Sequence, residues 1–416
     1  MTTADINTAG RGRTRRTLDG WYETGRGENR IAAMEGLRGL AIVLVFICHF
    51  QMVILSRLAD VFQSRLAVTC AELGGTGVDL FFLLSGMLIY RASMRPRVHY
   101  GRFMMRRIQR VYPAFLAVFV FYLVLSLVFH MGEHYKGNGL LDQFRYTVAN
   151  LLFLPGVLDM PPVISAAWSL SYEFSFYLLI PILVRLLRLT SWGRFHRVAF
   201  WAALIIGYIA FVLLRPNFFP HYHAQDSSYV RFTLFLAGMI VEEVLSTHRG
   251  LKLLSVRVQA ALLLCAGIAL GVLIYSEIHT VKTLAHGSPT HAGIRAILVL
   301  VLYTAISFAT LQPRGILQNL FNHVTLRWTG NISYSFYLIH GFTLNVFAVV
   351  VAHLPWAKAH PTVAAPFLLV LAFAGSFAAA TVLFLAIEKP FSLSHPKPVQ
   401  DKLRPAAGLG TAESAS

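Results

Sequence analysis

The first long apolar run of the sequence carries two ionisable side chains, Arg38 and His49. Such side chains are costly inside a membrane and are usually retained for a function. Eleven residues at about 100° each make three turns plus about 20°, so a helix places both on one face, roughly 16 Å apart along its axis. Ile42 and Val45 fill the turns between them, and Glu35 is close enough to pair with Arg38. A guanidinium can bind an anion and an imidazole can take up a proton, so this face could do chemistry.

Composition places the chain among polytopic membrane proteins. Its 416 residues are 56% hydrophobic and only 13% charged, with a mean hydropathy of +0.60, whereas a soluble domain carries roughly 25% charged residues. The apolar runs predict an all-α bundle of about ten transmembrane helices. The predicted spans are Met34–Leu55, Gly77–Ser93, Tyr112–Met131, Trp168–Leu187, Val198–Leu214, Val230–Leu245, Val258–Tyr275, Ile294–Leu311, Ile332–Ala352 and Ala364–Ile387. The stretch Leu141–Leu154 is too short to span comfortably, so we expect it to be re-entrant, interfacial or packed inside the bundle.

Basic residues gather in every second link between the predicted spans. The net charge of +17 therefore indicates orientation in a membrane rather than binding of nucleic acid. By the positive-inside rule, both termini are predicted to be cytoplasmic. We expect residues 1–30 to form a disordered basic arm, residues 31–391 the membrane domain and residues 392–416 a disordered tail. The three scattered cysteines form neither a disulfide framework nor a zinc site, and we expect no bound metal.

The segment Gly74–Gly86 places a carboxylate in the second predicted span. Its glycines would make a tight and flexible start to the helix, with Asp79 about one turn inside it and Ser85 further along. Asp79 could cap the helix start, pair with an arginine or orient His49.

Arg107 and Arg110 are three residues apart near the start of the third predicted span and share a helix face. Pairs of arginines suit phosphate because a guanidinium binds it bidentately. The alternative interpretation is a topology anchor beside anionic lipid.

Glu173 lies roughly a turn and a half into the fourth predicted span, counted from Trp168. A helix places it on one face with Ser169, Tyr172 and Phe176. A buried and unpaired glutamate would be very costly, so it has a partner or a function. The alternative to a functional role is a structural ion pair with a core arginine.

Ser333, Tyr337 and His340 form a polar stripe at positions i, i+4 and i+7 of an apolar helix. They are candidates either for substrate binding or for hydrogen bonds between helices. Two weaker segments, Arg231–Gly238 and Glu388–Pro390, are compatible with simple end anchors.

Five segments, in this order, resemble the membrane acyltransferase-3 family. Arg38 and His49 match the family's opening arginine-x10-histidine signature. The resemblance covers roughly Glu35 to Phe391, and Glu35 stands where the family often has aspartate, which keeps the charge. The five segments are Glu35–Ala41 with His49, Gly77–Gly86, Trp168–Glu173, Ser333–His340 and Glu388–Pro390.

The resemblance implies transfer of an acyl group, usually acetyl, from cytoplasmic acyl-CoA to a hydroxyl on a cell-surface or exported glycan. Some relatives modify lipid-linked oligosaccharides, peptidoglycan or macrolide antibiotics. It also implies a multi-pass protein of a bacterial inner (plasma) membrane in which Arg38 and His49 are essential.

The residues fit this chemistry. We expect the donor to lie along the first span, with its phosphates toward the arginines and its thioester near His49, which removes the proton of the acceptor hydroxyl. An acyl-histidine intermediate is the alternative to direct transfer. The assignments are His49, Arg38, Glu173 and Asp79 to catalysis, Arg38, Arg107 and Arg110 to the donor, and Ser85, Trp168, Ser333, Tyr337 and His340 to substrate binding.

Two other functions are compatible with the same composition. A transporter or flippase for a glycan or a lipid-linked intermediate would also bury Glu, Arg and His in about ten spans. The sequence shows neither repeated halves nor a matching pair of broken helices. The third alternative is a structural partner in a glycan export complex. The expected partners are acyl-CoA, a glycan or glycolipid acceptor and the lipid bilayer, without nucleic acid.

Overall fold

The computed structural model describes residues 20–22, 29–58, 65–95, 99–129, 139–158, 160–215, 228–246, 254–280 and 289–393. These ranges are almost entirely helical and contain no strand. The longer α-helices within them are α1 (Asn29–Phe50), α2 (Arg65–Ser93), α3 (Tyr100–Phe129), α4 (Leu140–Leu151), α5 (Trp168–Leu186), α6 (Arg194–Leu214), α7 (Thr233–Leu245), α8 (Val256–Thr280), α9 (Pro289–Leu311), α10 (Val324–Asn331), α11 (Ser333–Ala352) and α12 (Pro361–Leu383). Helices α1 and α12 continue as the π-helices Gln51–Leu55 and Phe384–Leu393.

Within the described ranges, nine helical segments are long and apolar enough to cross a membrane. The chain is therefore a polytopic helical membrane protein, as its composition predicts. The remaining predicted span, Val230–Leu245, is divided between the turn Ser228–Arg231 and the 13-residue helix α7. Helix α7 is roughly 20 Å long, shorter than the roughly 30 Å hydrocarbon core. Most of its side chains are buried against other helices, so protein rather than lipid surrounds it.

Helix α2 is the central helix, since 72% of its apolar window is buried, the largest share among the nine spans. It begins at Arg65, well before the predicted Gly77. The prediction that the glycines form the start of this span was therefore wrong. They lie inside the helix because other helices approach its backbone: a β-carbon at Gly77 would overlap the carbonyl oxygen of Ala41 on α1.

The contact between α2 and α7 depends on two reciprocal glycines. A β-carbon at Gly86 would overlap the carbonyl of Phe235, and one at Gly238 would overlap the carbonyl of Leu83. The two backbones consequently meet with no side chain between them, which is the usual role of small residues at helix interfaces in membranes.

Gly86→Ala is expected to lower the free energy of unfolding by about 1–3 kcal/mol, because the added methyl group forces α2 and α7 apart. Gly271→Ala on α8 is the matched control, since nothing lies within 4 Å of the position of its β-carbon. That control should be neutral or stabilising by up to about 1 kcal/mol, the helix preference for alanine over glycine. Unfolding in mixed detergent micelles measures both variants. Equal effects of the two substitutions would contradict the packing argument.

The start of α1 packs backbone to backbone on the segment that precedes α11. β-Carbons at Gly36, Gly39 and Gly330 would overlap backbone atoms of Phe321, Leu326 and Glu35, respectively. This close approach fixes the position of α1 relative to α10 and thereby to α11.

Glu35 does not pair with Arg38, so that prediction was wrong. The Oε2 atom of Glu35 accepts a hydrogen bond from Nε of Arg327 on α10 at 3.0 Å. The sequence indicated only the neighbour three residues away on the same helix. The close packing of α10 on α1 brings a different arginine to this carboxylate.

Helices α1 and α11 run in the same direction and touch at two levels. Near the start of both helices, Arg38 contacts Ser333. Further along, the rings of His49 and His340 meet. The polar residues Arg38 and His49 of α1 thus face Ser333 and His340 of α11 across one helix interface. The buried side chain of Ile42 and other apolar side chains lie between the two levels.

Helix α4 covers most of the stretch that was expected not to span. Its 12 residues reach roughly 18 Å. It exposes Leu140, Leu141 and Phe144 and buries Tyr146 and Asn150 on its other face. This amphipathic pattern agrees with an interfacial or packed segment rather than a membrane-spanning one.

Part of the predicted N-terminal arm lies against α12. Lys389 Nζ donates hydrogen bonds to the carbonyls of Gly20 and Trp21 at 2.6 and 2.8 Å. The hydroxyls of Tyr22 and Thr381 lie 3.2 Å apart. Residues 20–22 are therefore described in contact with the membrane domain, and the disorder of the arm stays a prediction. Residues 1–19 and 23–28 of the arm, and residues 394–416 of the tail, lie outside the described residues.

The orientation of the bundle remains a prediction from the basic links, and cysteine labelling would test it. In a variant without Cys48, Cys70 and Cys265, a cysteine at Arg102 should react only with reagents that enter the cytoplasm. A cysteine at Trp356, which is 49% exposed between α11 and α12, should react with an impermeant reagent from outside. The reverse labelling pattern would overturn the orientation with both termini inside.

Candidate functional site

A cavity of about 130 Å³ lies between α1, α2, α3, α5 and α11. Each of these helices is mainly apolar, yet each contributes at least one polar side chain to the lining. The lining residues are Arg38, Ser85, Arg107, Arg110, Ser169, Glu173, Tyr177, Ser333, Tyr334 and Tyr337, with Val78, Phe81, Phe82, Leu84, Leu88, Val111 and Leu170. The cavity thus brings together seven of the residues that the sequence analysis selects.

Two of the cavity arginines have no carboxylate within ion-pair distance among the described residues. Arg38 donates from Nη2 to Oγ of Ser333 at 3.0 Å. The Cζ atom of Arg107 lies 5.2 Å from the ring centroids of both Phe103 and Tyr177. A hydroxyl and two aromatic rings orient these guanidinium groups without neutralising them. This part of the cavity is therefore suited to an anionic ligand.

Arg110 differs, because a buried carboxylate neutralises it. Its Nη1 atom lies 2.5 Å from Oε1 of Glu388, a residue with no solvent exposure. The other oxygen of Glu388 accepts hydrogen bonds from the backbone N–H of Ser335 at 3.1 Å and from its hydroxyl at 2.5 Å. Glu388 therefore joins α3, α11 and the π-helical end of α12, and it is not the simple end anchor that the sequence allowed.

Glu173 faces the cavity from α5 and is held by hydroxyl groups. Ser85 Oγ and Tyr177 Oη both donate to its Oε1 atom, at 2.9 and 2.5 Å. In the part of the chain that the structure describes, Glu173 therefore bonds to hydroxyl groups and not to a core arginine, which the structural alternative predicts. Two donors on one oxygen fix the carboxylate and leave Oε2 as the available acceptor.

Tyr337 and Ser169 form the wall of the cavity on the side toward the histidines. The two hydroxyls lie 2.7 Å apart, and Tyr337 Oη donates to the carbonyl of Ala166 at 2.7 Å. The ring of Tyr337 also lies 5.9 Å from that of His340. This tyrosine therefore contacts both the cavity and the histidine pair.

His49 and His340 lie beyond this wall and do not line the cavity. Their ring centroids are 4.8 Å apart, with the planes at 79°, an edge-to-face contact. His49 Nδ1 lies 2.9 Å from the carbonyl oxygen of Val45 and therefore donates its proton to it. In the neutral ring this leaves a lone pair on Nε2, the form that a proton acceptor needs.

Asp79 belongs to a second buried cluster of charges, apart from the cavity lining. Its Oδ1 atom lies 3.8 Å from Nη1 of Arg231. Arg295 lies in the same cluster, with Nε 3.2 Å from Oε1 of Glu277. Pairing with an arginine is therefore the observed alternative for Asp79, and capping is excluded because the residue lies in the middle of α2. Trp168 adjoins this cluster, since its ring centroid lies 5.8 Å from Cζ of Arg231.

Sequence patterns did not identify several residues of these clusters, among them Arg295, Arg231, Tyr334 and Tyr177. Arg295 is 6% exposed and was passed over, although a lone arginine inside an apolar run signals a function or a buried partner. The sequence suggested only an end anchor for Arg231, because this arginine opens its predicted span. Tyr334 also lines the cavity, and its Oη donates to the carbonyl of Val111 at 2.7 Å. Nothing in its spacing distinguishes this tyrosine from a packing residue.

Comparisons with known proteins identify the family of this chain. The family model described as an acyltransferase domain, that of acyltransferase-3, matches residues 31–381. The acyltransferase MdmB of Streptomyces mycarofaciens is 27% identical over 87% of this chain and 91% of its own length. The peptidoglycan O-acetyltransferase OatA of Listeria monocytogenes is 24% identical over 74% of this chain, which spans about half (49%) of OatA. No solved structure matches the chain. The chain belongs to the acyltransferase-3 family.

Proposed function

We propose that this membrane acyltransferase moves an acyl group, most simply acetyl, from cytoplasmic acyl-CoA to a hydroxyl of a glycan or glycolipid at a bacterial inner membrane. The names of the relatives support acyl transfer, and that of OatA supports a glycan acceptor. The acceptor would react at the membrane or at its outer face, where the predicted topology places the end of α1.

The observation that carries the proposal is that Arg38 and Arg107, which have no carboxylate within ion-pair distance among the described residues, line a cavity bordered by the helix that bears His49. Phosphate groups are the strongest anions of a CoA donor, and guanidinium groups bind them bidentately. At about 130 Å³ the cavity is smaller than the roughly 300–1,000 Å³ that enclose a drug-sized ligand, so it would hold only part of the donor. The rest would extend toward the predicted cytoplasmic side.

His49 is proposed as the general base. The roughly 16 Å between Arg38 and His49 is comparable to an extended pantetheine arm. The acceptor oxygen forms a bond to the thioester carbonyl carbon while its proton passes to Nε2 of His49. The carbon–sulfur bond then breaks, and the thiolate leaves with that proton as a thiol. Attack by Nε2 itself, through an acyl-histidine, uses the same lone pair.

The other cavity residues would orient the reactants. The free Oε2 of Glu173 is proposed to accept a hydrogen bond from an amide or hydroxyl of a substrate. Ser85, Ser333 and Tyr337 fix their neighbours and supply further polar contacts. Asp79 and Trp168 lie outside this cavity, so we assign them to the support of α2 and α5 rather than to the reacting atoms.

Acyl transfer by the purified protein tests the proposal directly. The protein in detergent receives radiolabelled acetyl-CoA and a glycolipid extract from the source membranes. Release of the CoA thiol together with label in the glycolipid fraction is expected. A transporter would instead move labelled glycan across proteoliposomes without acyl-CoA. Movement of the glycan without any transfer of the radiolabelled acetyl group would overturn the proposal.

Arg107→Ala is expected to raise the KM for acetyl-CoA by about 10–150-fold, since one charge-assisted contact is worth roughly 1.5–3 kcal/mol. Arg106→Ala is the matched control, because Arg106 is an exposed arginine on the same helix and does not line the cavity. It should leave the KM unchanged and preserve the basic link that orients the helix. Normal donor kinetics in Arg107→Ala with impaired membrane insertion would favour the topology anchor instead.

A further inference from the structure

His340 is a second imidazole beside the proposed base, and one of its nitrogens has no recorded partner. The residue is 1% exposed. Its Nδ1 atom lies 3.1 and 2.9 Å from the carbonyl oxygens of Phe336 and Tyr337, so it carries the proton that is donated to them. Its Nε2 atom is buried and has no hydrogen-bond partner among the described residues. A buried polar atom without a partner is costly, which indicates a function for it.

The ring of His340 contacts other aromatic rings. The recorded ring contacts of His340 are His49 at 4.8 Å, Phe336 at 5.9 Å and Tyr337 at 5.9 Å. None of these neighbours carries a carboxylate. A positive charge formed on His49 would thus have no recorded acidic counterpart, while the lone pair of His340 lies in the adjoining ring. Electrostatic effects are large in such a low-dielectric setting.

We propose that His340 is a positioning residue for proton transfer at His49, whose positive charge the Nε2 lone pair of His340 stabilises. The inference rests on the proposed role of His49 as base. His49 gains the proton of the acceptor hydroxyl as the new carbon–oxygen bond forms. It returns the proton to the sulfur when the carbon–sulfur bond breaks. His340 neither gains nor loses a proton, so the reaction balances without it.

Two substitutions separate this role from a purely structural one. Asparagine places its amide nitrogen near the position of Nδ1, so His340→Asn retains the donation to the helix carbonyls and lacks an acceptor at the Nε2 position. Glutamine reaches the Nε2 position with an oxygen acceptor, so His340→Gln supplies the lone pair there. A structural role predicts that the asparagine variant is the better enzyme. The proposal predicts the opposite order.

The experiment measures kcat and the KM for acetyl-CoA of both variants in detergent. We expect kcat to fall by about 10–100-fold in His340→Asn, equivalent to roughly 1.4–2.8 kcal/mol, with KM unchanged. His340→Gln should keep at least about tenfold more kcat than His340→Asn. Equal rates, the reverse order or loss of activity in both folded variants would overturn the proposal.

Labelling of histidine with ¹⁵N in the unaltered protein provides a measurement that needs no stable variant. The chemical shifts of the ring nitrogens must show an unprotonated Nε2 in His340, and a proton on that atom would refute the inference. Failure here is distinct from failure of the proposed function. An active His49→Gln variant would show that His49 is not the base and would contradict the proposed function. An equal or reversed order of the two His340 variants would contradict only the proposed role of His340.

Discussion

Replacing His49 with glutamine is expected to lower acyl transfer by about 10²–10⁴, the usual contribution of a positioned base, while the protein still inserts and purifies. Glutamine can form hydrogen bonds but cannot take up the proton of the acceptor hydroxyl. His49→Ala should fail to the same extent for the same reason. The measurement is the transfer of label from acetyl-CoA to the glycolipid fraction, at equal amounts of folded protein.

His279→Gln is the matched control for this substitution. The Nδ1 atom of His279 lies 2.8 Å from the carbonyl of Tyr275, four residues earlier, which reproduces the local geometry of His49. His279 is exposed and distant in sequence from the cavity residues. Its substitution should leave the rate unchanged. Near-normal transfer by His49→Gln would mean that His49 serves only to hold helices together.

Glu388→Ala is expected to lower the free energy of unfolding by about 3 kcal/mol, because it leaves Arg110 without its carboxylate and Ser335 without its acceptor. Removal of one partner of a buried ion pair typically costs about 3–5 kcal/mol. The lower end applies because the side chain of Arg110 is 24% exposed toward the cavity and keeps part of its hydration. Unfolding in mixed detergent micelles measures the change. Glu388→Gln should cost less, since an amide oxygen still accepts from Ser335.

Asp142→Ala provides the corresponding surface control. Asp142 pairs with Arg145 at 3.9 Å, and the two side chains are 49% and 69% exposed. An exposed pair of this kind contributes little, because water screens both charges. If removal of Glu388 changed stability no more than removal of Asp142, the carboxylate would not be the junction of α3, α11 and α12 that its contacts indicate.

Helical periodicity predicted the parts of the site that lie within single helices. The spacing of Arg38 and His49 placed them on one face, and both now face α11. Of the predicted stripe, Ser333 and His340 likewise face α1, whereas the hydroxyl of Tyr337 contacts Ser169 on α5. Such predictions succeed because side-chain direction repeats with the helix period, whatever the rest of the chain does.

Partners between distant segments could not be predicted in this way. Arg327 pairs with Glu35 across 292 positions, and Arg110 pairs with Glu388 across 278. Local spacing favoured Arg38 for Glu35 and an end anchor for Glu388, because periodicity carries no information about which helices meet. The glycines of α2 misled for a related reason. Glycine permits both a flexible start and a close helix contact, and only the neighbouring backbone distinguishes them.

The glycine contacts at the start of α1 also set a length. Because Gly36, Gly39 and Gly330 already bring backbones together, α1 cannot slide along α11 without opening a gap between them. The separation of Arg38 and His49 is then fixed by one unbroken helix, at roughly 16 Å. In the proposed mechanism this fixed separation determines the distance that the donor must span between its phosphates and its thioester. An acyl thioester on a shortened arm would occupy the arginines and hold its carbonyl short of the imidazole, so it would bind as an inhibitor and not react.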